Sequence, residues 1–187
     1  MKTDYPKFSG TFLFLGAFQF IIAMIVSETL YPSYSISRNY ISDLGVGGTA
    51  YIFNTSIIVF GIFVLISSYP IFLKFRWHPL LVSMILSGIG AMGVGMFPEG
   101  SPYYLHTVMS LVAFLFGGIS SILSYKIIKL PLNLISIGCG IITLIALVLY
   151  TENIYMSLGP GGMERMIVYP ILLWVLGFSG YLMALNK

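Results

Sequence analysis

The most reactive side chains of the chain are concentrated in one short segment, FPEGSPYYLHTVMS. Glu99 follows a proline in a tight turn, and His106 and Ser110 lie four residues apart at the predicted start of a helix. This spacing places both side chains on one helical face, where a carboxylate could reach them. An imidazole in this setting can act as a general base or bind a metal ion. Alternatively, His106 is simply hydrated at the helix end, and we expect Ser110 to bond to the carbonyl of the preceding turn.

A second polar group lies in SRNYISDLGVGG, where Ser42 and Asp43 precede a run of glycines. Asp43 could be a general base or a metal ligand, or it could cap a short helix or accept hydrogen bonds in a turn. A zinc site with an open water position would require Asp43, His106 and either Glu99 or Glu164 to converge. The sequence contains no close ligand spacing such as HxxxH. A divalent metal is therefore compatible with these residues but is not predicted by their spacing.

A third group, GGMERMIVYPILLW, places Glu164 and Arg165 at the predicted start of the last helix. The helix dipole favours an acid there but does not explain the arginine. Arg165 could pair with Asp43 or Glu99, or hold a phosphate or carboxylate headgroup with both arms of its guanidinium. Of these, we expect a structural ion pair. Asn54, about one turn inside the second helix, is expected to form hydrogen bonds between helices.

The composition shows what must position these groups. Of 187 residues, 58% are hydrophobic and 8% are charged, whereas a soluble domain has about a quarter charged residues. Apolar stretches of about 20 residues, long enough to cross a lipid bilayer, use up most of the chain. The sequence therefore predicts an all-α bundle of six transmembrane helices forming a single domain over residues 1–187. The predicted helices span residues 8–30, 50–74, 79–97, 104–126, 130–150 and 166–186.

The charge pattern predicts the orientation of this bundle. With the N-terminus inside, the cytoplasmic side carries Lys2, Lys7, Lys74, Arg76, Lys126, Lys129 and Lys187. Only Arg38 and Arg165 then remain outside, which satisfies the positive-inside rule. Five of the six acids fall on the outer side: Glu28, Asp43, Glu99, Glu152 and Glu164. We therefore predict a multi-pass protein of the cell membrane with both termini cytoplasmic and any functional site at its outer face.

The same pattern argues against several cofactors and partners. His78 and His106 are the only histidines and fall on opposite faces, so a haem held between paired histidines is not expected. The segment GIGAMG matches a dinucleotide-binding pattern, but it lies within a predicted membrane helix, where its glycines favour close packing instead. Nucleic acid is not expected as a partner, because the basic residues follow the membrane topology. Membrane lipids are the expected partners, and the oligomeric state is not predicted.

Taken together, the segments NYISDLGVGG with IFN, GVGMFPEG with its downstream histidine, and GGMERMIVYPILLW identify a resemblance. The chain resembles, over essentially its whole length, the uncharacterised six-helix membrane family called domain of unknown function 998. The resemblance implies that the family's motif positions are occupied here by Ser42, Asp43, Asn54, Pro98, His106, Glu164 and Arg165. Glu99 belongs less clearly to the pattern. The family name carries no activity.

These observations favour an outward-facing polar pocket that binds a lipid or other amphiphile and could extend to its hydrolysis. In this hypothesis His106 is the base or a metal ligand, Asp43 is its partner, and Arg165 holds an anionic group. The remaining residues proposed to contact the ligand are Glu164, Glu99, Ser42 and Asn54. One alternative is a structural or accessory subunit whose outer polar network only stabilises the bundle. An ion-coupled transporter is less expected, because the helix centres contain no charged residue.

Overall fold

The chain is all-helical and forms a membrane bundle, as the sequence predicts. The computed structural model describes residues 4–185, so Lys2, Asn186 and Lys187 lie outside the described residues. Within that range, six α-helices are long and apolar enough to cross a membrane. They are α1 (Tyr5–Leu30), α2 (Ala50–Phe75), α3 (His78–Met96), α4 (Leu105–Leu123), α5 (Leu132–Thr151) and α6 (Gly159–Ala184). The orientation with both termini inside stays a prediction.

The helices form a closed ring in chain order. Each helix packs against its neighbours in the sequence, and α1 closes the ring against α6. Small residues allow several helix pairs to approach closely: a Cβ added at Gly140 of α5 would lie 2.6 Å from the Gly118 carbonyl oxygen of α4. Gly90 of the GIGAMG segment lies against the Ala113 backbone of α4 in the same way. These glycines therefore serve helix packing in lipid, where close backbone contact replaces the hydrophobic effect.

The start of α6 differs from its predicted position. The helix begins at Gly159 rather than Met166, because the proline that follows Gly159 occupies its first turn, where a missing N–H costs nothing. The glycine-rich segment 159–162, which the predicted helix bounds leave in a connection, is therefore the first turn of a helix. As a result, Glu164 and Arg165 lie well inside α6, and each is only 4% exposed.

Three connections come together at one end of the ring. The connection between α1 and α2 contains 3-10 turns at Ser42–Gly45 and Gly47–Thr49, and the connection between α3 and α4 contains one at Pro102–Tyr104. The third joins α5 to α6. We call this the outer end, since the charge pattern predicts that it faces away from the cytoplasm. All of the side chains assigned to the candidate site from the sequence lie at or near it.

Candidate functional site

The first turns of α6 hold the α1–α2 connection against the bundle. The Glu164 carboxylate accepts a short hydrogen bond from the backbone N–H of Ile41. Arg165 lies one helical turn after Gly161, and its Nη1 group donates to the Ile36 carbonyl oxygen at 3.0 Å. A Cβ at Gly161 would lie 2.5 Å from that same oxygen. The glycine therefore permits the close approach on which both side chains depend.

Arg165 is a buried structural anchor. Its Nη2 group donates to Glu28 of α1 at 2.5 Å and to the Tyr34 hydroxyl at 2.6 Å. Its Nη1 group is fully occupied by backbone carbonyls. The expected ion pair is thus present, but its partner is Glu28 and not Asp43 or Glu99, because Arg165 lies within α6, which packs against α1. No Nη hydrogen is left for the anionic headgroup that the sequence suggested.

Tyr34 completes this anchor as a neutral phenol. Burial raises the pKa of Tyr34 to about 12, although the hydrogen bond from Arg165 lowers it. The phenol therefore keeps its proton at neutral pH and donates it to the Tyr40 carbonyl oxygen at 3.0 Å. A single buried cluster thus joins α1, the α1–α2 connection and α6.

Asp43 and Glu99 meet from different connections. Asp43 accepts hydrogen bonds from the Asn39 side chain at 2.9 Å and from the Tyr40 backbone N–H at 3.0 Å, which is the turn-stabilising role considered above. Burial and the adjacent Asp43 carboxyl raise the pKa of Glu99, and the Ser42 hydroxyl partly opposes the rise. The two carboxyl groups are therefore close neighbours, and this proximity favours the protonated form of Glu99.

His106 is oriented by both of its ring nitrogens. Nδ1 lies 2.9 Å from the Phe97 carbonyl oxygen at the end of α3. Because a carbonyl only accepts, Nδ1 must carry a proton, and Nε2 of the neutral ring is free to accept. Nε2 lies 3.4 Å from the Ser110 hydroxyl. Ser110 thus bonds to the histidine ring and not, as expected, to the preceding turn. The partners of His106 are the Phe97 carbonyl and Ser110, and not Asp43.

The combination of residues suggested for a metal ion is not assembled. Across residues 4–185, no three His, Cys, Asp or Glu side chains are grouped as a metal site requires. Asp43 is directed towards Asn39 and Tyr40, whereas His106 is directed towards Phe97 and Ser110. A role of His106 as a general base would therefore depend on its contact with Ser110.

A cavity of about 350 Å³ opens among these residues. Four residues of the sequence-based site line it: Ser42, Glu99, His106 and Glu164. Below it lies a smaller chamber of about 60 Å³, whose walls are mostly apolar side chains of α1, α2, α3, α4 and α6. The two spaces share lining residues, namely Ser42, Ser110, Phe114 and Glu164. The outer cavity and the apolar chamber inside the bundle are thus adjacent and share part of one wall.

The other three site residues lie behind the cavity wall. Besides Asp43 and Arg165, Asn54 also serves the local structure: its amide nitrogen donates to the Gly45 carbonyl oxygen at 2.9 Å. This bond fixes the 3-10 turn that carries Asp43 to the start of α2. The predicted bond of Asn54 between helices is therefore replaced by a bond between a helix and a connection.

The sequence interpretation gave no role to Glu28 or Tyr34 and only a structural one to Ser110. One signal was available for Glu28: it is an acid at the outer end of a helix, and an outer arginine needs a partner there. For Ser110 the four-residue spacing to His106 already placed the two side chains together. Tyr34 had no signal of its own, because tyrosines are common near helix ends in membranes.

Comparison with known proteins supports the family resemblance. A family model described as "Protein of unknown function (DUF998)" matches residues 14–180. No curated protein and no solved structure matches the chain. The matched range covers every residue of the outer cavity described above.

Proposed function

Since this chain belongs to the DUF998 family of membrane proteins, whose name assigns no activity, we propose from its own geometry that it binds an amphiphile at the outer end of the bundle. The observation that carries the proposal is the shared wall of the two spaces. Glu164 and Ser42 give the outer cavity polar groups, while Phe114 leads from it into the apolar chamber. A molecule with a polar head and a hydrocarbon part matches this sequence of surroundings.

The apolar chamber supports this proposal through its lining. Its walls include Phe20, Phe53, Phe60 and Ile171, which leave few groups that could hold water. Apolar cavities of this kind stay dry and take up hydrocarbon readily. By volume, the chamber has room for about four water-sized groups, which corresponds to a short stretch of alkyl chain. Binding would therefore gain apolar burial without displacing ordered water.

Filling the chamber tests the proposal. Ala91 of α3 lines the chamber and is 6% exposed, so Ala91→Leu would occupy the space meant for hydrocarbon. We expect the variant to bind a dodecyl amphiphile about tenfold more weakly or worse, because about 1.5 kcal/mol or more of apolar burial is lost. Binding is measured by native mass spectrometry of the protein in maltoside micelles.

The matched control adds the same atoms elsewhere. Ala184 is exposed at the opposite end of α6, so Ala184→Leu should bind as the unsubstituted protein does. Equal affinity in the unsubstituted protein and in a folded, monodisperse Ala91→Leu variant would show that the chamber does not take the hydrocarbon part, and the proposal would be abandoned.

A second candidate function, acyl hydrolysis, is favoured by the contact between Ser110 and His106. Ser110 lines both spaces, and its hydroxyl lies 3.4 Å from Nε2 of His106, whose Nδ1 lies 2.9 Å from the Phe97 carbonyl oxygen. A nucleophile beside a base that is oriented by a third group is the arrangement used for acyl transfer. In such a reaction the Ser110 oxygen attacks an ester carbonyl, His106 passes the hydroxyl proton to the leaving alcohol, and water then releases the acid.

Covalent labelling tests the second candidate. An alkyl fluorophosphonate should modify Ser110, and both Ser110→Ala and His106→Gln should abolish the labelling. Ser101→Ala is the control, because Ser101 lines the same cavity but bonds to the Pro98 carbonyl. Labelling that persists in Ser110→Ala, or that never occurs in the intact protein, would rule out the serine as a nucleophile.

A further inference from the structure

We propose that the polar end of the bound amphiphile is a cation, and specifically an ammonium group. This inference rests on the amphiphile-binding function proposed above and names the charge of its ligand. It reverses the charge suggested by the sequence, which assigned an anionic group to Arg165. Three features of the cavity carry the argument: the sign of its charges, a half-satisfied buried carboxylate and a set of aromatic rings.

Among residues 4–185, the charged residues that line the outer cavity are Glu99 and Glu164, and no lysine or arginine of that range lines it. The nearest candidate for neutralising them, Arg165, is committed to Glu28 and to backbone carbonyls. An anionic headgroup would therefore meet like charge. The one unpaired donor of Arg165 is its buried Nε–H, and Arg165 does not line the cavity. A cation would meet an attractive field that the low-polarity walls strengthen.

Glu164 is the second feature. Its side chain is only 4% exposed, and one carboxylate oxygen accepts the Ile41 N–H. Among residues 4–185, the other oxygen accepts no hydrogen bond, yet the residue lines both the outer cavity and the apolar chamber. A buried carboxylate is costly unless its oxygens are paired. A cationic ligand would supply the missing partner at the point where polar and apolar surroundings meet.

Aromatic rings are the third feature. Tyr40, Tyr104, Tyr150 and Phe114 all line the outer cavity, and the rings of Tyr40 and Tyr150 pack edge to face with centroids 5.9 Å apart. The faces of such rings attract cations, and rings beside carboxylates form the usual recognition site for substituted ammonium groups. An uncharged head would gain nothing from this arrangement beyond ordinary contact.

A bound cation would change the protonation of Glu99. Burial and the neighbouring Asp43 carboxyl disfavour the charged form of Glu99. An ammonium group in the cavity would oppose both effects, since an opposite charge favours the ionised carboxylate. Ligand binding and ionisation of Glu99 should therefore be coupled.

The test compares three ligands with the same chain and different charge: dodecyltrimethylammonium, dodecanol and dodecanesulfonate, each at low mole fraction in maltoside micelles. Native mass spectrometry counts the bound molecules. We expect the cation to bind at least about tenfold more tightly than the alcohol, which corresponds to about 1.4 kcal/mol, and the sulfonate to bind most weakly. Glu99→Gln should reduce the preference for the cation over the alcohol, and Glu164→Gln should reduce it further where that variant folds.

Glu152→Gln is the matched control, because Glu152 is an exposed acid outside the cavity; it should leave the preference unchanged. If all three ligands bind equally, or if the sulfonate binds best, the cation proposal fails while amphiphile binding stands. If none of them binds, the amphiphile-binding function itself fails. Competition by tetramethylammonium would support a water-soluble ammonium ligand, whereas its failure to compete would support an ammonium lipid that needs its chain.

Discussion

Replacing Arg165 by glutamine should destabilise the bundle severely. The guanidinium is 4% exposed and joins Glu28, Tyr34 and the carbonyl oxygens of the α1–α2 connection. Glutamine cannot reach all of these acceptors, and it leaves the Glu28 carboxylate without its cation. Breaking a buried ion pair in this way costs about 3–5 kcal/mol. For a chain of this length, such a loss lowers the apparent Tm by about 10 °C.

The assay is thermal unfolding in maltoside micelles, followed by the far-ultraviolet circular dichroism of the helices. Arg38→Gln is the matched control, because Arg38 is the other arginine predicted outside and is exposed; its replacement should change stability by less than about 0.5 kcal/mol. The double variant Arg165→Gln with Glu28→Gln should lose less stability than the sum of the two single losses, since the neutral side chain at position 28 no longer needs a cation. Equal Tm values for Arg165→Gln and Arg38→Gln would refute the anchor and the burial argument behind it.

Further predictions concern packing, protonation and topology. Gly161→Ala should lower the Tm, because its Cβ would lie 2.5 Å from the Ile36 carbonyl oxygen. Gly180→Ala is the control in the same helix: its Cβ meets nothing within 4 Å, so the change should be neutral or stabilising. Similar losses of Tm at the two sites would contradict the close approach at Gly161. The pKa of Glu99 is raised from 4.5, so its contribution to stability is fully present below pH 4.5 and is lost as pH rises through the folded-state pKa. Glu99→Gln should flatten this part of the stability–pH curve, and an unchanged slope would remove Glu99 from the account. Topology is tested with single cysteines after Cys139, the one cysteine of the sequence, is replaced by alanine. A cysteine that replaces Ser37 should react with an impermeant maleimide added to intact cells, and one that replaces Lys129 should not. The reverse result would invert the predicted orientation.

The sequence was sufficient to predict the helices because each prediction rests on the summed hydrophobicity of about 20 residues. Each apolar stretch is about as long as the hydrocarbon core is thick, so a shift of a boundary by a few residues leaves the helix count unchanged. The start of α6 was missed because Gly159 and Gly161 suggest a loop when tertiary contacts are unknown. In the folded chain the same glycines permit contact with the α1–α2 connection, a reason that is visible only in three dimensions.

The candidate site was predicted in part. Ser42, Glu99, His106 and Glu164 line one cavity, as expected for residues drawn from separate connections. Their hydrogen-bond partners were not predictable, because an ion pair depends on which side chains face each other across the ring. Arg165 had several outer acids to choose from, and the rotation of α6 directs it to Glu28.

The outer anchor also constrains how the protein is made. Glu28 lies near the end of α1, and Arg165 belongs to α6. During synthesis the acid therefore enters the membrane well before its cation exists, and the ring cannot close before α6 is inserted. A nascent chain truncated ahead of Gly159 would leave the Glu28 carboxylate without the Arg165 guanidinium. Pairing of this carboxylate, and closure of the ring, therefore depend on the synthesis of α6.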